Sequence, residues 1–445
     1  MKKSTMILWI IFIASFISTA FLLGKVYSNG VQTYKNAKTM KLNTEDLKSI
    51  NIYSDIPIEV ATTFGEPYIE ISQTYKYLIG EAPVANLIVQ QKEGKTQIKV
   101  DTDDTDIFSL DTLGYSSNRE AVVKVYLPEN IDIDTLKVET PDRRYDNTTQ
   151  AFFGALKVKM NISDSKIKNI NVEAEQIFAN LDGSFQKIQL HHNGYEYGEC
   201  EIVNNEEADV NIDQMENASL SGKFNLLEIS NANNLKLDSI YTKSLSLTSN
   251  KRVKSILKGD YKDVAIKIYD DSTLDSDGSL NILNLKLYAL YSNVNLSGAI
   301  NSISFNGDFS NIVIKNAMIP NKIDISEDCE GNAYKFTLPN NISGLMVDTC
   351  VKIADENPDA KNLDNEDFNI ISDFPLKPQL VHDKVNFAYG DEGIKILINN
   401  SLENSLEIVD GGYISSDLEE AVKNNANDET DIGEIATDEE GNIEQ

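Results

Sequence analysis

The chain has 445 residues, with 70 Asp and Glu against 40 Lys and Arg, and a formal net charge of −30. This excess of acid argues against a nucleic-acid partner, because contacts to phosphates need clustered Lys and Arg. The length is sufficient for a large core, in one elongated domain or in two compact ones.

The first predicted element is an apolar run from Met6 to Leu23, with lysines at positions 2, 3 and 25 on either side. As a helix rising about 1.5 Å per residue, it nearly crosses a hydrocarbon core of about 30 Å. We predict a transmembrane helix or signal anchor over 6–24, a cytoplasmic N-terminus over 1–5 and a linker over 25–41. A cleaved signal peptide is the alternative, although the apolar core is long and no typical cleavage site follows it. The N-terminal lysines favour a single-pass cell-membrane protein whose C-terminal bulk is extracytoplasmic.

Longer strands are predicted from Leu42 to Pro141. This segment contains LKSINIYSDIPIEV, ANLIVQQKEGKTQIKV and AVVKVYLP, in which apolar and polar residues alternate. Alternation with a period of two is typical of a strand that is buried on one face.

These three sequences resemble a bacterial exported family, the adhesin-like β-strand repeat domains of unknown function. That family opens with I-x-I-x-S-x-x-x-x-I-x-V, continues with a strand pair L-x-V-x-x-x-x-G-x-x-x-I-x-V and then has I-x-V-x-L-P. The positions that match are Ile50, Ile52, Ser54, Ile58, Val60, Leu87, Val89, Gly94, Ile98, Val100, Val123, Val125, Leu127 and Pro128. Phe387–Val409 resembles the closing strands, and the resemblance covers most of 42–410. The chain departs from the family in having few Ser-Gly repeat turns, such as Ser221-Gly222 and Ser297-Gly298.

The resemblance implies a right-handed, β-helix-like domain tethered outside a Gram-positive-type membrane. It implies no activity, because the members have no established common chemistry and no catalytic residues. Some members are encoded beside envelope-stress regulators, which implies a link to envelope-stress signalling.

Short strands are predicted every nine or ten residues from about 156 to 325. The clearest apolar pairs are Leu285/Leu287, Val294/Leu296, Ile303/Phe305, Ile312/Ile314 and Ile323/Ile325. Two architectures fit this spacing, namely a sandwich or barrel of antiparallel hairpins and a solenoid with parallel stacked strands.

The solenoid is the preferred interpretation, because the strands are very short, the spacing is nearly constant and strong hairpin dipeptides are scarce. Two of these nine- to ten-residue strand repeats would make a coil of about twenty residues. Asn and Ser side chains of successive coils could stack into ladders. The predicted fold class is therefore all-β, a right-handed single-stranded β-helix (β-solenoid) over 42–410 with an N-terminal transmembrane helix. The alternative is a β-sandwich.

The C-terminal part is more acidic. Residues 351–385 contain three prolines and are predicted to form a long loop before the last strands. Residues 411–445 have few large apolar side chains, and too little surface can be buried there to offset the entropy of ordering. We predict a disordered acidic tail.

Candidate catalytic or metal-binding groups are few. The histidines are His191, His192 and His382, and the first two lie near Cys200. Adjacent residues of a strand point to opposite faces, so this pair is not expected to bind one metal ion. We predict no catalytic, cofactor-binding or metal-binding residues and no cofactor.

Two questions of chemistry stay open at this point. The acid-rich stretch Asp101–Asp106 suggests a calcium site, but it lacks the Gly and the later Glu of an EF-hand loop, and Asp275-Ser-Asp277-Gly278 is similarly incomplete. An oxidising exterior would permit a disulfide between Cys329 and Cys350. The three cysteines match neither a disulfide framework nor a zinc-binding pattern, so incidental thiols are the simpler interpretation.

The predicted function is a membrane-anchored, non-catalytic adhesin-like or scaffolding module of the cell envelope. Its expected partners are an envelope membrane protein or cell-wall glycan, and not nucleic acid. The alternative is a polysaccharide-active β-helix enzyme, since glycoside hydrolysis needs only two suitably spaced carboxylates. Asp clustered with Lys or Arg on one sheet face would favour that enzyme.

Overall fold

The computed structural model describes twelve stretches of the chain. They are 3–30, 32–77, 84–102, 120–141, 156–194, 197–249, 254–326, 329–352, 368–381, 384–390, 395–399 and 404–412. The described part is all-β, with a β-solenoid arrangement of about eight turns. It divides into two compact units, residues 1–242 and 243–445.

The helical and extended elements follow in chain order. The helices are α1 (Lys3–Asn29) and the 3-10 turn η1 (Thr44–Asp46). The strands up to residue 249 are β1 (Gln32–Lys41), β2 (Ser49–Ser54), β3 (Ile58–Thr63), β4 (Tyr68–Tyr77), β5 (Ala85–Lys92), β6 (Lys95–Thr102), β7 (Glu120–Pro128), β8 (Asp132–Glu139), β9 (Lys157–Ala174), β10 (Gln176–His192), β11 (Gly198–Asp213), β12 (Met215–Ser230) and β13 (Asn234–Ser249). The later strands are β14 (Lys254–Ile268), β15 (Thr273–Ala289), β16 (Asn293–Asn306), β17 (Asn311–Asn316), β18 (Lys322–Ile325), β19 (Ala333–Leu338), β20 (Gly344–Lys352), β21 (Ile370–Ser372), β22 (Lys377–Val381), β23 (Lys384–Gly390), β24 (Lys395–Asn399) and β25 (Ser405–Asp410).

Helix α1 occupies the predicted N-terminal apolar run, and its described side chains from Ile7 to Phe21 are exposed. Within the described part of the chain, no helix has the length and apolar character needed to cross a membrane. The transmembrane helix predicted over 6–24 is therefore not confirmed. The side chains of residues 3–6, 8, 22–23 and 25–29 lie outside the described set.

The coils of the first unit stack in parallel. β9 pairs with β10, β10 with β11 and β11 with β12, all in parallel register. Val158 is opposite Ile177, and Leu181 is opposite Ile202, so one coil takes roughly twenty residues. Each long strand continues through a corner and does not end there. The pairing register shifts at a bulge in that corner. The predicted solenoid is confirmed here, whereas its right-handedness stays a prediction.

Antiparallel strands close the N-terminal end of the first unit. β5 pairs with β6, and β1 pairs with β4, which in turn pairs with β7. β1 occupies residues 32–41, where the sequence analysis places a linker. This strand could not be predicted from the sequence, because the exposed Lys35, Lys38 and Lys41 interrupt any apolar alternation. Lysines are common on edge strands, where they oppose pairing with other chains.

The second unit repeats the parallel pattern. β14 pairs with β15 and β15 with β16, after which the coil continues through β17 and β18 as separate strands. The predicted apolar pairs from Leu285/Leu287 to Ile323/Ile325 are all buried. Leu285 is opposite Ile303, and Val294 is opposite Ile312. Successive strands of the nine-residue repeat therefore lie alternately on two faces of the coil.

A buried polar ladder runs through one corner of this unit. It consists of Ser292, Ser310, Asn332 and Asn404, one residue from each successive coil. The Ser310 hydroxyl accepts from the Ser292 N–H (3.1 Å), and the Asn332 side-chain oxygen accepts from the Ser310 N–H (2.9 Å). The Asn332 N–H donates to the Asn404 side-chain oxygen at 2.9 Å. The predicted stacking of Asn and Ser is confirmed for this corner.

The C-terminal elements differ from the sequence prediction in one place. β21 and β22 lie inside 351–385, where a long loop was predicted, and β22, β23, β20 and β24 form a separate four-stranded sheet. Residues 353–367 and 413–445 lie outside the described residues, so the prediction of a disordered tail stays a prediction.

Candidate functional site

Surface carboxylates in the first unit accept hydrogen bonds from amide side chains of an adjacent coil. Asn217 donates to Glu199 (2.8 Å), Asn211 donates to Glu228 (2.8 Å), and Asn225 donates to Asp209 (2.9 Å). The second unit repeats this arrangement, because Asn281 donates to Asp260 and Asn284 to Asp263. These carboxylates accept hydrogen bonds between stacked coils, and their role in this arrangement is structural.

One row on the first unit combines acids with lysines. Glu59 on β3 lies between Lys124 on β7 (3.2 Å) and Lys159 on β9 (4.0 Å). The hydrogen bond and charge of Glu59 raise the pKa of Lys124. The row differs from the feature that the sequence analysis assigned to the enzyme alternative, because its acid is Glu59 and not Asp. All three side chains are partly exposed, and ion pairs of this kind contribute little to stability.

The predicted opposite orientation of His191 and His192 is confirmed. His191 is exposed at the end of β10, and its ring nitrogen Nδ1 lies 3.6 Å from an Asp213 carboxylate oxygen. His192 is buried, and its Nε2 accepts a hydrogen bond from the Ile177 N–H at 3.2 Å. Nδ1 therefore carries the proton and donates to the Asp213 carbonyl oxygen at 2.7 Å. The neutral ring is fully paired, which gives it a structural role.

Acid should destabilise the protein through His192. Burial lowers the pKa of this ring below its usual 6.5. The unfolded state then binds the proton first, so the stabilising effect is complete above about pH 6.5 and is lost as the pH falls towards the folded-state pKa. We expect the free energy of unfolding to drop by at most about 1.4 kcal/mol per pH unit over this window.

Urea unfolding between pH 5 and 8 checks this expectation. The slope against pH should become shallower in His192→Gln but not in the matched control His191→Gln, whose ring is exposed. Equal slopes in the wild type and His192→Gln would contradict the assignment.

The described thiols are buried and unreactive. Burial raises the pKa of Cys200 to about 12 and also raises the pKa of Cys329, so little thiolate forms near neutral pH. The side chain of Cys350 lies outside the described residues, as does His382, and the question of a Cys329–Cys350 pair stays open.

The proposed calcium stretch is described only in its first two residues. Asp101 pairs with Lys99 at 2.6 Å, whereas 103–106 lie outside the described residues. The side chains of Asp277 and its neighbours to 279 are also outside them. Among the described residues, no group of three or more His, Cys, Asp or Glu is placed to hold a metal ion.

An exposed group of aromatic rings stands out at one corner of the second unit, and we name it the aromatic corner. It consists of Tyr269, Tyr288, Tyr291 and Phe309. The rings of Tyr291 and Phe309 stack with their centroids 5.2 Å apart and their planes 7° from parallel, and both are about half exposed (52% and 47%). The rings of Tyr269 and Tyr288 are 5.4 Å apart.

The corner backbone has an unusual conformation. Tyr291 and Phe309 both have φ of 50°, in the left-handed region that bulky residues seldom adopt. Gly331 is one coil further along, with φ of 66°, and a Cβ there would lie 2.5 Å from the Phe309 ring. Two aromatic residues therefore occupy a position that favours glycine or asparagine. Asp271, one coil before Tyr291, has φ of 59°, so the left-handed conformation belongs to the stacked corner and the two rings are fixed there by it.

Acidic groups surround the aromatic corner. The Asp271 N–H donates to the Tyr291 carbonyl oxygen (2.8 Å), and the Tyr291 N–H donates to the Asp308 carbonyl oxygen (3.1 Å). The Asp308 carboxylate accepts from the Glu330 N–H at 2.9 Å. Partial burial, together with nearby Tyr269 and Asp308, raises the pKa of Tyr288. The acidic residues at the backbone positions of this corner are Asp270, Asp271, Asp308 and Glu330, and lysines 267 and 286 lie on the adjoining strands.

Comparison with known proteins gives two solved structures. One is a candidate cell adhesion protein from Clostridium sporogenes, with 8% identity over 85% of this chain and 100% of that one, and a TM-score of 0.16. The other is a candidate adhesin from Parabacteroides merdae, with 12% identity over 68% and 90% of the two chains and a TM-score of 0.22. No family model and no curated protein matches the chain.

The sequence analysis missed the aromatic corner. A signal was present, because Tyr291-Ser292-Asn293 and Phe309-Ser310-Asn311 repeat the order aromatic, Ser, Asn one coil apart. The middle Ser belongs to the buried ladder, which fixes the preceding ring at the outer corner. Without the coil register, neither tripeptide differs from an ordinary turn.

Proposed function

We propose that this protein is a membrane-anchored, non-catalytic adhesin-like module of the bacterial cell envelope. Its solenoid lies on the extracytoplasmic side and contacts either cell-wall glycan or an envelope membrane protein, the second case being linked to envelope-stress signalling. The observation that carries the proposal is the aromatic corner, which presents stacked and half-exposed rings on a rigid corner of the coil. Exposed aromatic groups on a rigid scaffold are typical of contact surfaces.

Helix α1 supports the membrane anchor. Ile11, Phe12 and Ile17 are each at least 60% exposed, and at 100° per residue they point to three different sides of the helix. A helix that is apolar all round is stable when surrounded by a protein core or by lipid. The described elements leave these side chains uncovered, which favours lipid.

The surface carboxylates support a non-catalytic role. A glycosidase needs one carboxylic acid that keeps its proton and one carboxylate that is free to act. The carboxylates of the stacked coils instead accept hydrogen bonds from Asn217, Asn211, Asn225, Asn281 and Asn284.

The test uses the full chain in bacterial cells, with a photo-crosslinking amino acid at position 309 and the same group at 64 as control. Phe64 is 93% exposed but lies outside the aromatic corner. We expect the protein in the membrane fraction, cleaved by protease added to intact cells, and a crosslink to wall polymer or to one membrane protein from position 309 alone. A protease-protected, cytosolic protein would overturn the proposal, as would identical crosslinks from both positions.

The enzyme alternative has one candidate location, the row Lys124–Glu59–Lys159, which brings a single carboxylate together with two lysines. If this row is catalytic, the wild-type protein should release soluble sugar fragments from purified cell wall and Glu59→Gln should not. Release that depends on Glu59 would replace the non-catalytic proposal.

A further inference from the structure

We propose that the aromatic corner binds a hexopyranose unit of a neutral or amino-sugar polysaccharide. This inference rests on the proposed function and specifies its ligand. The proposal rests on the stacked rings of Tyr291 and Phe309 and on the acidic residues Asp270, Asp271 and Asp308, whose backbones bond to residues 290 and 291 of this corner.

The size of the exposed apolar surface favours a sugar over a protein partner. Aromatic side chains present about 150–250 Å² each, so two half-exposed rings offer roughly 200 Å². A stable protein interface needs about 800 Å² from each partner. One pyranose ring has an apolar C–H face that matches one aromatic ring, and its remaining edge is polar. The corner thus corresponds in size to one sugar unit.

The polar groups around the rings match the edge of a sugar. Hydroxyl and ammonium groups donate hydrogen bonds, and ionised carboxylates are acceptors only. Asp270 and Asp271 are exposed and precede Tyr291 by one coil, and Asp308 is half-buried one coil after it. Acidic sugars would be repelled by these carboxylates and by the chain's net charge of −30. The acidic residues 270, 271, 308 and 330 outnumber lysines 267 and 286 of the adjoining strands, so the surface favours sugars that carry no carboxylate, sulfate or phosphate.

The backbone conformation at Tyr291 and Phe309 allows a variant that distinguishes a binding role of the two rings from a structural role. Tyr291 and Phe309 have φ of 50°, a conformation that asparagine tolerates better than an aromatic residue does. Replacing both by asparagine removes the rings and relieves backbone strain. If the rings exist to bind a ligand, this double variant keeps its stability and loses its ligand.

The test measures binding by isothermal titration calorimetry on the full chain in lipid nanodiscs, because sugar-based detergents would compete. The probes are the hexasaccharides of N-acetylglucosamine, glucosamine and galacturonic acid, with choline as a cation without a sugar ring. We expect the first two to bind with dissociation constants on the order of 0.1–1 mM and the acidic one not to bind. Tyr291→Asn/Phe309→Asn should weaken binding at least tenfold, and the matched control Phe64→Asn should not.

Several outcomes would overturn the inference. They are binding of neither the neutral nor the amino-sugar hexamer, equal binding by the double variant, and binding of choline as tight as that of the sugars. A large loss of stability in the double variant would assign the rings a structural role and would also overturn it. The proposed function has its own test, because crosslinking of position 309 to a membrane protein in cells would support that function even if no sugar binds.

Discussion

Replacement of Asn332 by alanine should lower the free energy of unfolding of the second unit by about 3 kcal/mol or more. The Asn332 side chain accepts from the Ser310 N–H and donates to the Gly307 carbonyl oxygen and the Asn404 side-chain oxygen, at 2.9, 2.9 and 3.2 Å. Asn332 is buried, so no water replaces these partners after truncation. Each buried group left without a partner costs about 1–3 kcal/mol.

Urea unfolding followed by circular dichroism gives the size of the loss, and amide exchange in β17 and β19 locates it. The matched control is Asn295→Ala, since Asn295 is exposed on β16 and should tolerate the change within about 0.5 kcal/mol. Asn332→Asp supplies a second comparison, because a carboxylate there would face two oxygen acceptors. It should be more damaging at pH 7 than at pH 4, where the protonated acid can donate. Losses under 1 kcal/mol for Asn332→Ala would mean that the ladder does not stabilise the coil.

The repeating core could be predicted from the sequence, because burial of alternate residues leaves a direct pattern. Leu285, Val294, Ile303 and Ile312 lie about nine residues apart, and the structure stacks them on two alternating faces. Strand length could not be predicted in the same way. The sequence predicted strands of about three residues, whereas β9 extends over Lys157–Ala174, because pairing continues through the corner where the apolar alternation breaks.

The candidate site depends on which residues of successive coils are paired, and a single sequence does not give this register. Tyr291 and Phe309 are separated by a whole coil and become neighbours only when Ser292 and Ser310 are stacked in the buried ladder. The orientation of the histidine pair was predictable, since it follows from neighbouring positions of a single strand. The pairing of His192 with Ile177 and Asp213 was not, because Ile177 lies at the opposite end of the same coil and Asp213 comes from the following coil.

Replacement of Gly222 by alanine should be the most damaging single-methyl change in the first unit. Gly222 has φ of 110°, where an L side chain is strained, and a Cβ would lie 1.9 Å from the Asn204 carbonyl oxygen of the coil below. Backbone strain of this kind costs about 1–3 kcal/mol, and forced overlap in a packed region costs a similar amount. We therefore expect the free energy of unfolding to fall by about 2–6 kcal/mol.

The overlap also reaches a second set of hydrogen bonds. Asn204 is buried, its side-chain oxygen accepts from the Phe185 N–H (2.9 Å), and its amide donates to the Lys223 carbonyl oxygen (3.0 Å). Movement of the Asn204 backbone away from the new methyl group would stretch both bonds. Faster amide exchange should therefore appear at Phe185, two coils away from the substitution, as well as at Gly222 itself.

Gly65→Ala is the matched control, because a Cβ at Gly65 meets no atom within 4 Å. It should leave the urea midpoint almost unchanged and should not alter exchange at Phe185. If Gly222→Ala has the same urea midpoint as Gly65→Ala, the coils can move apart at this corner without a loss of stability. The Ser221-Gly222 turn would then not be required for stacking. If exchange at Phe185 rises in Gly222→Ala alone, the close approach of the two coils is what requires glycine in this turn.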